Sequence, residues 1–307
     1  MRLRAPIAFV GTALAAATLL GAPSPAAATQ YRVPYTFTVS AVTAGINPDA
    51  DPPGANDWSC RPSAAHPNPV VLVHGTGGNK NTNWQTYAPL LANNGYCVFA
   101  LTYGVIPGAQ LPLNQVGGLD RIENSAAQLG TFVDKVLAAT GAAKVDIVGH
   151  SQGTLMPNYY AKFLGGASKI DKYIGLASLW HGSNVGGSAT LLELGRAYGF
   201  TVPDGDWGAS AQMATGSDFI NAMRAGGVPQ PGITYTNIVT KYDELVVPYT
   251  SGIEAGMHNI VVQDQCRLDF SDHLEIVADP IASVDVLNAL DPAHPRAVPC
   301  QLVLPFL

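Results

Sequence analysis

The sequence holds no C-x-x-C pair, no basic cluster, no internal repeat and no extended cluster of carboxylates. Each absence excludes something. Without C-x-x-C spacing, Cys60, Cys97, Cys266 and Cys300 read as disulfide partners rather than zinc ligands. Without a basic cluster, and with 16 Lys and Arg against 22 Asp and Glu for a net charge of −6, neither nucleic acid nor an anionic membrane surface is an expected partner. Without clustered carboxylates nothing demands a metal, and no cofactor is expected.

A membrane span is also missing. Arg2 and Arg4 precede an uncharged apolar run over 7–20, which Gly21 and Pro23 close before Ala26-Ala27-Ala28. That run is short for a bilayer. Charged start, apolar middle and small-x-small end make residues 1–28 a secretory signal peptide, with a mature N-terminus near Thr29 and an extracellular product; an uncleaved anchor is the alternative. Residues 29–307 are long enough to bury the core of a single α/β domain, expected as a monomer. Four cysteines in an exported chain allow three pairings. Cys60 with Cys97 and Cys266 with Cys300 are expected, because each pair is near in sequence and flanks a predicted strand or the terminal tail.

What is present alternates. The run over 70–73 is continuous, apolar and β-branched, as in a strand buried on both faces. It ends in His74-Gly75-Thr76-Gly77-Gly78. A helix is predicted over 81–94, closed by Asn94-Gly95, then a strand over 96–101. Ile122, Leu129, Val133, Val136 and Leu137 share one face of a helix ending at Gly141. Strands follow at 145–148, 172–177, 233–239 and 259–262, and a closing helix at 281–290. The alternation predicts a mostly parallel sheet with helices on both faces. Residues 35–39, alternating aromatic or aliphatic with Thr, read as a weak edge strand. The Gly, Ala and Ser-rich stretch 183–227 reads as a cap or lid over the active-site edge, and 291–307 as a surface tail held by Cys300.

The strand at 145–148 stops in Gly149-His150-Ser151-Gln152-Gly153 and runs into a helix-like segment. A turn this tight leaves no room for side chains at the two glycines and presents the Ser151 hydroxyl at its apex. A serine nucleophile needs a base, and the base needs an acid to fix its tautomer. Sites in open α/β sheets lie at the carboxyl ends of the strands. By that rule His66, His258 and His294 fall in the wrong places. His150 adjoins the nucleophile and points elsewhere. His74 and His181 sit at the right edge as structural or pocket-lining residues. His273, in the loop after the last strand, is free to reach back as the base. Asp243 follows a strand directly and is the expected acid, whereas Asp264, Asp269 and Asp272 share the loop of the base and would meet its ring only by a contorted path. The backbone N–H of Gln152 and the N–H or hydroxyl of Thr76 are the expected oxyanion donors, a purely structural Gly-rich turn being the alternative. His74, His150, His181, Leu191, Leu192, Leu194, Phe200 and Trp207 are candidates for the substrate pocket and its apolar rim.

Taken together, the turn at His74-Gly75-Thr76-Gly77, the Ser151 pentapeptide, Tyr242-Asp243-Glu244-Leu245 and Asp272-His273 resemble the secreted actinobacterial lipases and esterases of the α/β-hydrolase superfamily. The Gly75-Thr76-Gly77 turn, Ser151-Gln152 and the cysteine spacing are also similar to the fungal lipase B type. The resemblance implies an α/β-hydrolase fold and cofactor-free hydrolysis of lipid or other carboxylic esters, at a lipid–water interface, through an acyl-enzyme. It implies the same roles for Ser151, Asp243, His273, Thr76 and Gln152. The same triad would also serve acyl transfer or a cutinase-like polyester hydrolase, and a non-catalytic ligand-binding protein on this scaffold is the rival from another class.

Overall fold

The computed structural model describes residues 30–111, 113–184 and 208–306. The proposed leader 1–28, Leu191, Leu192, Leu194, Phe200 and Trp207 lie outside the described residues. Six strands form one parallel sheet: β1 (Val70–Val73), β2 (Val98–Leu101), β3 (Val145–His150), β4 (Ile170–Leu176), β5 (Thr234–Val239) and β6 (His258–Val261), in the order β2-β1-β3-β4-β5-β6. The chain steps from β1 outward to β2, then returns to the other side of β1 for β3. That reversal opens a crevice at the carboxyl ends of β1 and β3. Val73 pairs with Gly149 in register, so the turn after β1 and the turn after β3 emerge side by side.

Successive strand residues point to opposite faces, and both faces are dry. Val71, Val73, Phe99 and Ile147 pack on one side with Ile122, Leu129 and Val133 of the helix Ile122–Thr140 and Leu155 of the helix Gln152–Phe163. Val70, Leu72, Val98 and Val148 pack on the other with Leu91 of the helix Tyr87–Asn93 and Ile281 and Val286 of the helix Pro280–Leu290. The helix Ile122–Thr140 stops where Gly141 turns left-handed at φ 73°, as a C-terminal glycine permits.

Two expected elements differ. Residues 35–39 form no strand: they enter a helix, Phe37–Ile46, with Thr36 as its N-cap. The outer edge of β2 is already occupied, since Ala55 pairs with Val98 and the Asn56 amide bonds both Ala100 N and Ala100 O at 2.9 Å. No ladder remains there for a further strand, and Phe37 instead turns inward onto Phe306 at a ring separation of 4.9 Å. The single helix expected over 81–94 is two, Lys80–Asn83 and Tyr87–Asn93. Pro89 has no N–H for the Gln85 carbonyl, so the ladder cannot run through, and proline is tolerated only in the first turn of the second helix.

The cysteines pair Cys60–Cys97 and Cys266–Cys300. The second bridge brings the tail inward. Phe270 N donates to Val303 O, Val303 N to Leu268 O, and Phe306 N to Asp272 Oδ2 at 2.7 Å. Of the stretch 183–227, the described part leaves after Ser183, which pairs with Ala214, and returns through the short helices Gly208–Gln212 and Asp218–Arg224. Gln212 fastens it to the start of the helix Ile122–Thr140 by accepting from Ile122 N at 2.8 Å.

Candidate active site

Ser151 is the single residue between β3 and the helix Gln152–Phe163, with φ 54° and ψ −123°. This region is strained for a residue with a Cβ, at a cost on the order of 1–3 kcal/mol. Close backbone packing enforces it. A Cβ on Gly149 would lie 2.0 Å from Gly153 O, and one on Gly153 would lie 2.1 Å from Val73 O. The elbow is therefore wedged against β1 main chain to main chain.

Asp243 and His273 arrive from loops after β5 and β6. His273 Nδ1 lies 2.8 and 2.9 Å from the two oxygens of Asp243, and both side chains are almost wholly buried. Asp243 Oδ1 also accepts from Leu245 N at 3.0 Å and Val246 N at 2.7 Å, which fixes the carboxylate from behind. Burial is the largest single influence on His273 and disfavours its charged form. The Asp243 charge and hydrogen bond, with Glu244 and Asp272 beyond, outweigh it and raise the ring's pKa above 6.5. Glu244 holds the backbone by accepting from His273 N at 3.2 Å, and its own pKa is raised by burial. Among the described residues no hydrogen bond joins Ser151 Oγ to His273 Nε2.

A buried chain ties the three loops together. Gly75 N donates to Asn83 Oδ1 at 3.3 Å, Asn83 Nδ2 to His150 Nδ1 at 3.2 Å, and His150 Nε2 meets the His273 carbonyl at 2.9 Å. A carbonyl only accepts, so the His150 proton sits on Nε2. Burial first, then the neighbouring His273, pushes His150 well below 6.5, so the ring is neutral. Gly75 faces Ser151 directly: a Cβ there would be 3.1 Å from Ser151 Cβ. Thr76 and Gln152 meet across Gly118, where a Cβ would lie 3.0 Å from Thr76 Cα and 2.6 Å from Gln152 Oε1. The Gln152 N–H is the first of its helix and has no intrahelical acceptor. Thr76 Oγ1 touches Met213 Sδ at 3.8 Å, so the returning edge of the 183–227 stretch reaches the turn.

Two residues read from sequence as pocket candidates take other places. His74 is fully buried, its Nδ1 2.7 Å from Gly75 O and its ring stacked on Tyr103. His150 is buried in the chain just described. Both rings are turned inward because their nitrogens complete backbone hydrogen bonds, which an open pocket would leave wet. His181 lies outward and pairs with Glu254 at 3.0 Å. Asn83, Gly118 and Tyr103 are not among the site residues expected from sequence. Tyr103 had a usable signal, since it follows the carboxyl end of β2, the edge where sites form.

A parallel sheet with this reversal, and a serine elbow on its third strand, define an α/β-hydrolase. The model of the Lipase (class 2) family matches residues 67–284, and the chain belongs to that family. Over 98 residues, 30% of this chain, it is 37% identical to triacylglycerol lipases of Pseudarthrobacter phenanthrenivorans and Burkholderia plantarii. The match spans only 28% and 25% of the length of those relatives. Among solved structures it is similar to Aspergillus fumigatus lipase B, with a TM-score of 0.58 and 18% identity over 81% of this chain and 57% of that one. It is also similar to the mature form of Bacillus licheniformis lipase BlEst2, with a TM-score of 0.56 and 17% identity over 75% and 94%.

Proposed function

We propose that this protein is an exported serine hydrolase that cleaves carboxylic esters of lipids, triacylglycerols among them, through an acyl-enzyme. The observation that carries the reading is the buried Asp243–His273 pair beside the Ser151 elbow, in a chain of the class 2 lipase family. Ser151 Oγ attacks the ester carbonyl as His273 Nε2 takes its proton. The N–H groups of Gln152 and Thr76 receive the oxyanion, His273 returns the proton to the leaving alcohol, and water repeats the sequence to release the acid. In this mechanism His74 and His150 hold the walls of the site and do not touch the acyl chain. Two disulfides and the charged, then apolar, N-terminal stretch support export.

The reading is tested with a fluorophosphonate probe on the folded protein and with triacylglycerol emulsions of graded acyl length. Labelling, and release of fatty acid that rises with acyl length and with the appearance of an interface, is expected. Well-folded protein that takes no label ends the reading.

The pH profile has a definite sign. As a base His273 must be neutral, so kcat/KM is expected to fall as pH is lowered through a midpoint above the free-histidine value of 6.5. Stability runs the other way. A raised pKa favours the folded state fully below 6.5, and that increment is lost as pH rises through the folded value. A rate profile with its acid midpoint below 6.5 would contradict this balance of charges.

A further inference from the structure

Tyr103 is fully buried just beyond the end of β2, and the reaction proposed above makes no use of it. Its phenol oxygen lies 2.6 Å from His74 O and 3.0 Å from the Gln152 side-chain amide. Its backbone N–H donates to His74 Nε2 at 3.3 Å, and its ring stacks on the His74 ring with centroids 4.2 Å apart. Its carbonyl accepts from Gly118 N at 2.8 Å. His74 is the last residue before Gly75-Thr76, and Gln152 opens the helix after the elbow. Tyr103 thus spans the two segments that carry the oxyanion donors.

The protons can be placed. A hydroxyl has one, and the His74 carbonyl can only accept, so the phenol donates there. The phenol oxygen is then an acceptor, and the Gln152 amide fits it when its NH₂ group faces the ring. In either orientation the phenol is the one hydrogen-bond partner of the Gln152 side chain among the described residues, and the other amide atom has none. Neither aromatic group titrates in a working range. Burial holds the Tyr103 phenol far above its usual 10, and burial brings His74 down to about 4 against the opposing Gly75 bond. His74 therefore stays neutral, donating from Nδ1 to Gly75 O and accepting at Nε2 from Tyr103.

Oxyanion donors act only when they sit at about 2.7–3.1 Å from where the charge develops. The Thr76 donor moves with its turn and the Gln152 donor with its helix. We propose that the Tyr103 hydroxyl is a positioning group that sets the distance between these two donors, by tying the His74 carbonyl to the Gln152 side chain. The proposal rests on the serine hydrolase reading. Gly117 and Gly118 fit the same purpose, since a Cβ at Gly117 would strike His74 at 2.6 Å and one at Gly118 would strike the Gln152 amide at 2.6 Å.

Tyr103→Phe keeps the ring stack and removes only the hydroxyl. It is expected to lower kcat by roughly 10- to 100-fold with KM within about twofold, the signature of misplaced donors rather than lost binding. Affinity for a boronic acid that mimics the tetrahedral state should weaken by the same factor. Gln152→Met keeps the backbone N–H and removes the amide, and should reproduce the loss. The double variant should lose no more than either single one, because both break one link. Tyr96→Phe, which deletes a buried hydroxyl with no partner among the described residues, should leave kcat unchanged. Should Tyr103→Phe not fold, Gln152→Met alone decides. Wild-type kcat and boronate affinity in the folded variant, or additive losses in the double variant, overturn the proposal. Ser151→Ala separates the two ideas: activity retained there defeats the hydrolase reading, whereas its loss beside a fully active Tyr103→Phe defeats only the positioning role.

Discussion

Ser151→Ala is expected to lower kcat roughly a million-fold on any ester the wild type hydrolyses, with thermal stability within about 1 kcal/mol of it. Alanine carries the same Cβ through the same strained backbone, so the substitution removes one oxygen and changes no packing. Among the described residues Ser151 Oγ has no hydrogen-bond partner to orphan. Initial rates on soluble and emulsified esters, together with thermal melts, measure both quantities. A variant that kept more than a hundredth of the activity would mean that some other group attacks.

Asp243→Asn is the second large effect, about ten-thousandfold in kcat near pH 7. The loss comes from a tautomer. The Asp243 carboxylate accepts a hydrogen bond from Nδ1–H and so holds the ring proton there, leaving Nε2 bare to receive the serine proton. An amide NH₂ at that position would donate to Nδ1 and put the ring proton on Nε2, where it blocks catalysis. An asparagine Oδ1 can still accept from Leu245 N and Val246 N, so the loop should hold its shape. Circular dichroism should not change, and the acid midpoint of the rate profile should drop as the raising charge disappears. Asp264→Asn, at an exposed pair with Lys241, should stay within about twofold in rate because exposed ion pairs contribute little. A loss below tenfold at Asp243 would assign the partner of His273 elsewhere.

The sheet and the elbow were legible because their causes are local. β-branched runs buried on both faces, and a serine between glycines at the end of one of them, leave few alternatives. The helix at Phe37–Ile46 was not legible, because aromatic and Thr residues alternate there as a strand would. What forbids a strand is Asn56, which lies beyond the Phe37 helix in the chain and covers the β2 edge 44 residues further on. The helix break before Tyr87 is readable in Pro89, which has no N–H to continue a helix begun near residue 81. His74 and His150 illustrate a different limit. Position in the chain places them at the reactive edge, but which way a ring turns depends on acceptors such as the His273 carbonyl, 123 residues from His150. Tyr103 belongs to the same class: its partners come from the turn after β1 and from the helix after β3, and only the assembled crevice brings them together.

The inward course of the tail has a consequence for biogenesis. Asp272, next to His273, receives the Phe306 N–H, and the Cys266–Cys300 bridge and the Val303 pairing hold that strand of chain in place. On a ribosome Ser151 would emerge some 150 residues before this support does. A nascent chain short of Phe306 carries Ser151, Asp243 and His273 without the brace on the histidine loop. Under the proposed mechanism the loop of the base would gain this brace only after the tail has been made and the Cys266–Cys300 bridge has closed.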